Sequence, residues 1–285
     1  VQYSWAQGVT TSSMTGIVAD TKGGGLPGAT VVAVHTPSGT QYGSATNVDG
    51  RFNIVNMRVG GPYVVTVSYL GFQTRKVENV SLKLAEPFVL NVTLSESGTE
   101  LKEVVISGTK DKLLNAERTG AVTNVGVQQI QALPTVSRSL NDFTRITPQA
   151  NGASVGGGNY RQNQITVDGA DFNNNFGIGA NMPAGGSPIS LDAIEEISVN
   201  VTPFDVRQSG FIGSAVNAIT RSGSNNFSAS VYNYFRTEKQ QGSKVGDFEI
   251  AKQDMDFAQY GFRVGGPILK NKLFFFFNAE TEEQT

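Results

Sequence analysis

Apolar and polar side chains alternate in short runs along most of this chain, and glycine, proline, asparagine or aspartate closes the runs. A period of two places every second side chain on one face of an extended strand. A chain patterned this way is confined to sheets with a covered face: sandwiches, sheet-and-helix layers or barrels. No stretch of about 18 apolar residues interrupts the pattern, so no transmembrane helix is expected. A transmembrane barrel would leave no such run and stays open. The expected fold class is mainly β.

Composition narrows the chemistry. The 285 residues allow roughly two to three domains. There is no cysteine, which excludes disulfide scaffolds, thiolate zinc, iron–sulfur clusters and thiol catalysis. A single histidine, His35, excludes multi-histidine metal sites and leaves little for acid–base work. With 22 basic residues against 24 acidic ones, no basic excess exists to track a nucleic-acid backbone. Gly156-Gly157-Gly158 and Gly177-x-Gly179 lack the third glycine and following helix of a dinucleotide fingerprint. Asp171-x-Asn173-x-Asn175 puts Phe176 where a calcium loop needs glycine and Met182 where it needs glutamate. No enzyme, cofactor, metal or nucleic-acid partner is expected. At the N-terminus, Ser4-Trp5-Ala6 sets small residues around a cleavage point before Gln7. Residues 1–12 are therefore expected to be an export-signal remnant or a disordered terminus.

Residues 13–98 predict an N-terminal Ig-like β-sandwich. The expected strands are Met14–Asp20, Ala29–His35, Gln41–Thr46, Arg51–Met57, Pro62–Leu70, Gln73–Val80 and Phe88–Ser95. Asn47-Val48-Asp49-Gly50 reads as a turn, with Asp49 expected to tie it by accepting from backbone N–H groups. His35 has no second ligand nearby in sequence and is expected to be structural or at the surface. Gly16-Ile17-Val18, Leu26-Pro27-Gly28-Ala29-Thr30-Val31, Thr46-x-x-Asp49-Gly50-x-Phe52 and Tyr69-Leu70-Gly71-Phe72 together resemble the carboxypeptidase regulatory-like domain. Such domains are non-catalytic modules despite their name.

Residues 99–119 form a polar linker around Leu101-Lys102-Glu103-Val104-Val105-Ile106-Ser107-Gly108. This β-branched run has no partner strand close by in sequence, as a free edge offered to another protein would not. An ordinary linker strand is the alternative. Placed after a regulatory-like domain, the run resembles the TonB box of TonB-dependent outer-membrane transporters, an architecture typical of the Bacteroidetes. The resemblance implies TonB-binding residues Leu101, Glu103, Val104, Val105, Ile106 and Ser107. Lys102 and Glu103 read as solubilising charges more than as readers of the partner.

Residues 120–222 predict an α+β domain. Helical patterns cover Val125–Leu133, closed by Pro134, and Ser137–Ile146, with Ser137 as N-cap. Asn151–Arg161 and Phe172–Ser187 read as loops around the strand Gln164–Gly169. Ile189–Glu196 reads as a short helical segment, Ile197–Val201 and Ala215–Arg221 as strands. Ile165-Thr166-Val167-Asp168-Gly169, Leu191-Asp192-Ala193-Ile194-Glu195-Glu196-Ile197-Ser198-Val199 and Gly213-Ser214-Ala215-Val216-Asn217-Ala218-Ile219-Thr220-Arg221-Ser222-Gly223, in that order, resemble the plug of the same transporters. Pro203-Phe204-Asp205-Val206-Arg207 departs from the siderophore-transporter pattern and looks Oar-like. Arg161, Asn163, Asp171, Asn173, Asn174 and Asn175 are candidate substrate-binding residues of the outer loops. Asp168, Glu195, Glu196, Arg207 and Arg221 are expected in plug–barrel ion pairs.

Residues 223–285 predict the first strands of a truncated transmembrane β-barrel. Asn226–Arg236 alternates, with Phe227, Ala229, Val231, Asn233 and Phe235 on one side. Gln259–Gly265 and Leu273–Glu282 follow, joined by a hairpin over Gly265–Lys272. Three strands cannot close a barrel, and plugged transporters use about 22; the expectation is a longer protein. The aromatic residues suit a lipid-facing girdle.

The resemblance implies energised import or export across the outer membrane of a Gram-negative bacterium, with the N-terminal domain in the periplasm. TonB, driven by its ExbB/ExbD motor, would pull on residues 101–108 and displace the plug. Outer-membrane lipid, a surface lipoprotein lid and other outer-membrane subunits are the further partners it admits. The cargo leans towards peptide or protein. A scaffold subunit of an outer-membrane assembly, or a soluble Ig-like adhesion module, are the alternatives.

Overall fold

The computed structural model describes residues 9–97, 104–107, 121–133, 135, 138, 140–144, 146–151, 154–159, 163–173, 189–201, 213–240, 242–249 and 255–284. The chain divides into two units, Val1–Arg221 and Ser222–Thr285.

The first unit opens with a sandwich. Its strands are β1 (Ser12–Ala19), β2 (Thr30–His35), β3 (Thr40–Ala45), β4 (Arg51–Met57), β5 (Gly60–Ser68), β6 (Arg75–Leu82), β7 (Pro87–Val89) and β8 (Val92–Thr93), followed by β9 (Val104–Ser107). One sheet has β4 antiparallel to β1, with β7 and β8 both parallel to β1. The other runs β3-β2-β5-β6-β9. The alternation decides what lies between them. Met14, Val18, Phe52, Ile54 and Met57 from the first sheet meet Val31, Ala33, Tyr63, Val65, Val67, Val77, Val80 and Leu82 from the second. Burying such side chains contributes about 1.5–3 kcal/mol each, which is what holds the layers.

Two local details differ from the sequence reading. Phe88–Ser95 is two short strands, not one. Between β7 and β8 the chain crosses Gly16, where an added Cβ would lie 1.9 Å from the Leu90 carbonyl oxygen. At that break the Asn91 side-chain oxygen accepts from Ile17 N–H at 3.0 Å, standing in for a missing ladder acceptor. The turn before β4 is tied by Asn47, not by Asp49. The Asn47 Oδ1 accepts from the N–H groups of Asp49 (3.0 Å) and Arg51 (2.8 Å), because the residue that opens such a turn can reach forward over it. Thr46 closes the neighbouring Leu26–Ala29 loop. Its Oγ1 accepts from Ala29 N–H at 2.8 Å and donates to the Leu26 carbonyl.

The plug-like part contains β10 (Val122–Gly126), α1 (Val127–Ala132), α2 (Leu140–Thr144), a small hairpin of β11 (Ala150–Asn151) and β12 (Ser154–Val155), β13 (Gln164–Val167), β14 (Ala170–Asp171), β15 (Ile194–Asn200) and β16 (Ala215–Thr220). The sheet order is β10-β15-β16-β13-β14, with β13 and β16 parallel. Its apolar face, Val125, Ile165, Val167, Ile197, Val199, Val216 and Ala218, packs with Ile130 of α1 and Leu140 and Phe143 of α2. Two helical expectations shorten. Val125 and Gly126 belong to β10, because they pair with Ile197 and Glu196. Ile189–Glu196 holds only the 3₁₀ turn Leu191–Ala193, capped by the Ser190 hydroxyl; Ile194 already pairs with Thr220. The predicted N-cap Ser137 lies outside the described residues.

The second unit is a three-stranded antiparallel sheet of β17 (Ser228–Thr237), β20 (Asp256–Leu269) and β21 (Leu273–Gln284) in that order, with a small hairpin of β18 (Lys244–Val245) and β19 (Phe248–Glu249) between the first two in sequence. The long strands have 10, 14 and 12 residues, against the roughly 9–11 tilted residues that cross a bilayer. One face is apolar and bare: Val231 is 85% exposed, beside Phe235, Phe262 and Phe277. The other is polar and internally bonded. Arg263 Nε donates to Ser230 Oγ at 2.9 Å, the Tyr232 hydroxyl bonds the Glu280 carboxylate, and Gln259 is buried. The hairpin is tighter than expected. Gly265, Gly266 and Pro267 stand inside β20, and only Lys270–Lys272 turn. At Gly266 an added Cβ would lie 2.3 Å from the exposed Phe227 ring, which would have to turn aside, and Pro267 sits at a register shift where a missing donor is tolerated.

Candidate functional site

The segment that joins sandwich to plug is not a bare strand. β9 lies parallel to β6, with Arg75 opposite Val104, Lys76 opposite Val105, Val77 opposite Ile106 and Glu78 opposite Ser107. One edge of the run is therefore covered, which corrects the expectation of an unpartnered strand, while its other edge has no partner strand among the described residues. A parallel partner requires a long return connection, so the mate of residues 104–107 stands about 30 residues upstream. The stretch of β6 that receives β9 is Arg75-Lys76-Val77-Glu78, three charged residues of four. Lys76 and Glu78 pair with each other at 3.1 Å, and Arg75 donates to the Thr93 carbonyl at 2.7 Å. Charges of this density are how proteins protect a sheet edge. β5, inside the same sheet, has none.

The loop that follows β6 meets the plug-like sheet. Leu84 N–H donates to the Glu196 carboxylate of β15 at 2.8 Å. Val59, Leu84 and Ile219 form a small buried cluster beside it. Asn124 of β10 donates to Glu86 at 3.2 Å, and Lys83 pairs with Glu86 at 3.4 Å. Glu196 is only 6% exposed. Burial is the main cause that pushes its carboxyl up from 4.5 to about 7; Glu195 and Glu86 add to the rise, while the Leu84 bond and Lys83 oppose it.

On the face of the plug-like sheet that carries Glu196, a polar rung crosses four strands. Asn124 stands opposite Ser198, Ser198 opposite Asn217, and Asn217 opposite Thr166. Thr166 Oγ1 donates to Asn217 Oδ1 at 2.6 Å. The Ser198 hydroxyl and the Asn217 amide nitrogen are buried with no protein partner among the described residues.

Comparison with known proteins finds matches at both ends of the chain. Residues 13–95 match the model of the carboxypeptidase regulatory-like domain, and residues 219–285 that of an outer-membrane β-barrel domain. The chain is 25% identical to the TonB-dependent transporter Oar of Myxococcus xanthus over 96% of its own length and 27% of that relative's. The chain is homologous to that TonB-dependent transporter. It is an outer-membrane protein, and it spans about a quarter of the length of that Oar relative. Among solved structures, the siderophore receptor PirA of Acinetobacter baumannii is 21% identical over 57% of this chain and 24% of that one, with a TM-score of 0.46. A catechol 1,2-dioxygenase mutant of Acinetobacter radioresistens reaches only 0.26, at 15% identity over 35% of this chain and 58% of that one.

Within this TonB-dependent transporter homologue the site residues read from sequence fall into separate places. Val104–Ser107 form β9; Leu101 and Glu103 lie outside the described residues, as do Arg161, Asn174 and Asn175. Asn163 is buried, and its Oδ1 accepts from Ser214 N–H at 3.2 Å. The Asn173 Oδ1 accepts from Ile165 N–H at 2.7 Å, and Asp171 accepts from Asn173 N–H at 2.9 Å. Asn163 and Asn173 therefore brace the start of β13, and Asp171 ties the loop that carries Asn173. Three of the five charges expected in plug–barrel pairs have partners inside the first unit. Asp168 accepts from Thr220 N–H and its hydroxyl, at 2.9 and 2.7 Å; Arg221 Nε donates to the Ile194 carbonyl at 3.0 Å; Glu196 holds Leu84. Arg207 lies outside the described residues. Glu196 is the residue whose partner the sequence reading placed wrongly: nothing in its local pattern points to one 112 positions away.

Proposed function

We propose that this chain is the energy-coupling and gating portion of a TonB-dependent outer-membrane transporter. The single observation that carries the reading is β9: a four-residue strand at the end of a sheet, lying between a regulatory-like domain and a plug-like domain. Strand addition needs an extended backbone with an open row of donors and acceptors, and β9 has that form. TonB, with its ExbB/ExbD motor, would engage residues 101–108 from the periplasm and draw the chain out. An extended chain lengthens by about 3.3 Å per residue, so some tens of residues drawn from the plug open a wide path. The polar rung supports a plug built to yield, since buried hydroxyl and amide groups lacking partners cost about 1–3 kcal/mol each. Asp171, Asn173, Asn174, Asn175 and Arg161 would meet the cargo, with Asn163 bracing the strand behind them; the cargo favoured is a peptide or protein. A surface lipoprotein lid and outer-membrane lipid are the remaining partners of this reading.

The test is capture of the full-length transporter by the purified periplasmic domain of TonB, with uptake scored alongside. Deletion of residues 101–108 is expected to abolish both. Val105→Pro removes a backbone donor from the strand and is expected to weaken capture by about tenfold or more. Undiminished capture by the proline variant would refute strand addition. Absent capture by the unaltered protein would favour a scaffold subunit with a permanent plug.

A further inference from the structure

The joint between the sandwich and the plug-like sheet is buried, and a carboxyl group stands in it. Val59, from the loop after β4, and Leu84, from the loop after β6, close on Ile219 of β16. Beside them Glu196 accepts from Leu84 N–H at 2.8 Å and is almost fully covered. An ionised carboxylate has about four lone-pair sites to satisfy, which water fills when the group is exposed and a single amide does not. The neighbouring charges make the ionised form worse. Glu195 precedes it on β15 and lies against Gly60 of the sandwich, where an added Cβ would be 3.3 Å from its Oε1. Glu86 reaches the same joint and accepts from Asn124 of β10 at 3.2 Å. Lys83 opposes them, but it already pairs with Glu86 at 3.4 Å. Burial first, then Glu195 and Glu86, favour a neutral Glu196.

We infer that this joint is a proton-operated clasp: the sandwich is held against the plug-like sheet while Glu196 carries a proton, and is loosened when that proton leaves. Neither TonB nor cargo enters the inference, so it stands apart from the coupling reading. With the proton on, one carboxyl oxygen still accepts from Leu84, and no charge has to be kept from water. With the proton off, the group regains water only if Leu84 and Val59 lift away, which uncovers Ile219 as well. The open joint therefore binds fewer protons than the closed one, and docking weakens as pH rises. The weakening begins near 4.5, the ordinary value that the group regains in the open joint, and levels off above about 7, where the closed joint has also lost its proton. His35, lowered to about 4, is neutral across most of that window and does not contribute to it.

The chain lacks cysteine, which allows labels to be placed at will. In the full-length transporter, freed of any other cysteine and kept in detergent, Val48→Cys and Gln131→Cys carry spin labels. Val48 is on the exposed turn between β3 and β4, and Gln131 is exposed on α1, both outside the joint. Pulsed dipolar spectroscopy reads docked molecules as a narrow distance and undocked ones as a broad one. Val59→Ala trims the apolar contact and brings the equilibrium into range. Between pH 5 and 8 the ratio of docked to undocked molecules is expected to fall about tenfold to a hundredfold. Glu196→Gln keeps an acceptor oxygen but has no proton to lose, and is expected to stay docked at pH 8. A docked fraction unchanged from pH 5 to 8 in both the unaltered and the trimmed protein would overturn the clasp. A fall that persists in Glu196→Gln would overturn it too, by assigning the response to another group. A broad distance already present at pH 5 in the unaltered protein would overturn the docking itself.

Discussion

At the scale of single residues, two buried titratable side chains give the first unit opposite responses to pH. Burial raises the Glu196 carboxyl from 4.5 to about 7, so the folded state holds its proton more firmly than the unfolded chain does. Its contribution is greatest at low pH and is lost as pH rises through about 7. His35, at the end of β2, is lowered from 6.5 to about 4 by burial and by Arg58. The neutral ring faces the Ser38 hydroxyl at 2.7 Å and lies 4.9 Å from the Tyr63 ring. Its contribution is present above 6.5 and is lost as pH falls towards 4. Each shift corresponds to about 3 kcal/mol between the limits of its window. The urea midpoint of the plug-like sheet is therefore expected to fall as pH rises from 5 to 7. The urea midpoint of the sandwich is expected to drop on acidification over the same range. Glu196→Gln flattens the first response and leaves the second; His35→Leu does the reverse.

At the scale of elements, the strands of the sandwich were legible because each has a wet face and a dry one, and Arg51–Met57 is predicted to the residue. What the pattern could not show is a pairing between strands distant in sequence. β9 docks on β6 without local pairing partners, and the break between β7 and β8 depends on one glycine. Gly16→Ala would press a methyl group into the Leu90 carbonyl, so the sandwich is expected to lose about 3 kcal/mol or more, read from chemical denaturation of the purified protein. The short plug helices were overextended for a related reason. Val125–Gly126 and Ile194–Glu196 have helical spacing locally, but their ladder partners Ile197, Glu196 and Thr220 are distant in sequence. The candidate cargo residues show the same limit from the other side. Asn163 and Asn173 stand out in sequence as polar loop residues, yet each gives its side-chain oxygen to a backbone N–H beside β13.

At the scale of the molecule, two units with different surfaces share one chain. The second unit turns Val231, Phe235, Phe262 and Phe277 outward and keeps Arg263 bonded to Ser230 and Tyr232 to Glu280 on the other face. That is the arrangement of strands whose outer solvent is hydrocarbon. The full-length protein is expected to stay monodisperse in detergent and to aggregate when detergent is withdrawn, as size-exclusion chromatography would show. Introducing Val231→Asp is expected to cost about 2 kcal/mol near the bilayer midplane and to lower the yield of heat-resistant barrel on gels. The first unit carries a different consequence. Because β9 runs parallel to β6, a force directed along the strand axis loads every bond of the pair together, in shear. A force directed across the sheet loads them in succession, like a zipper. The same attachment is thus mechanically anisotropic: its equilibrium strength is one number, but its lifetime under load depends on the angle from which it is tugged.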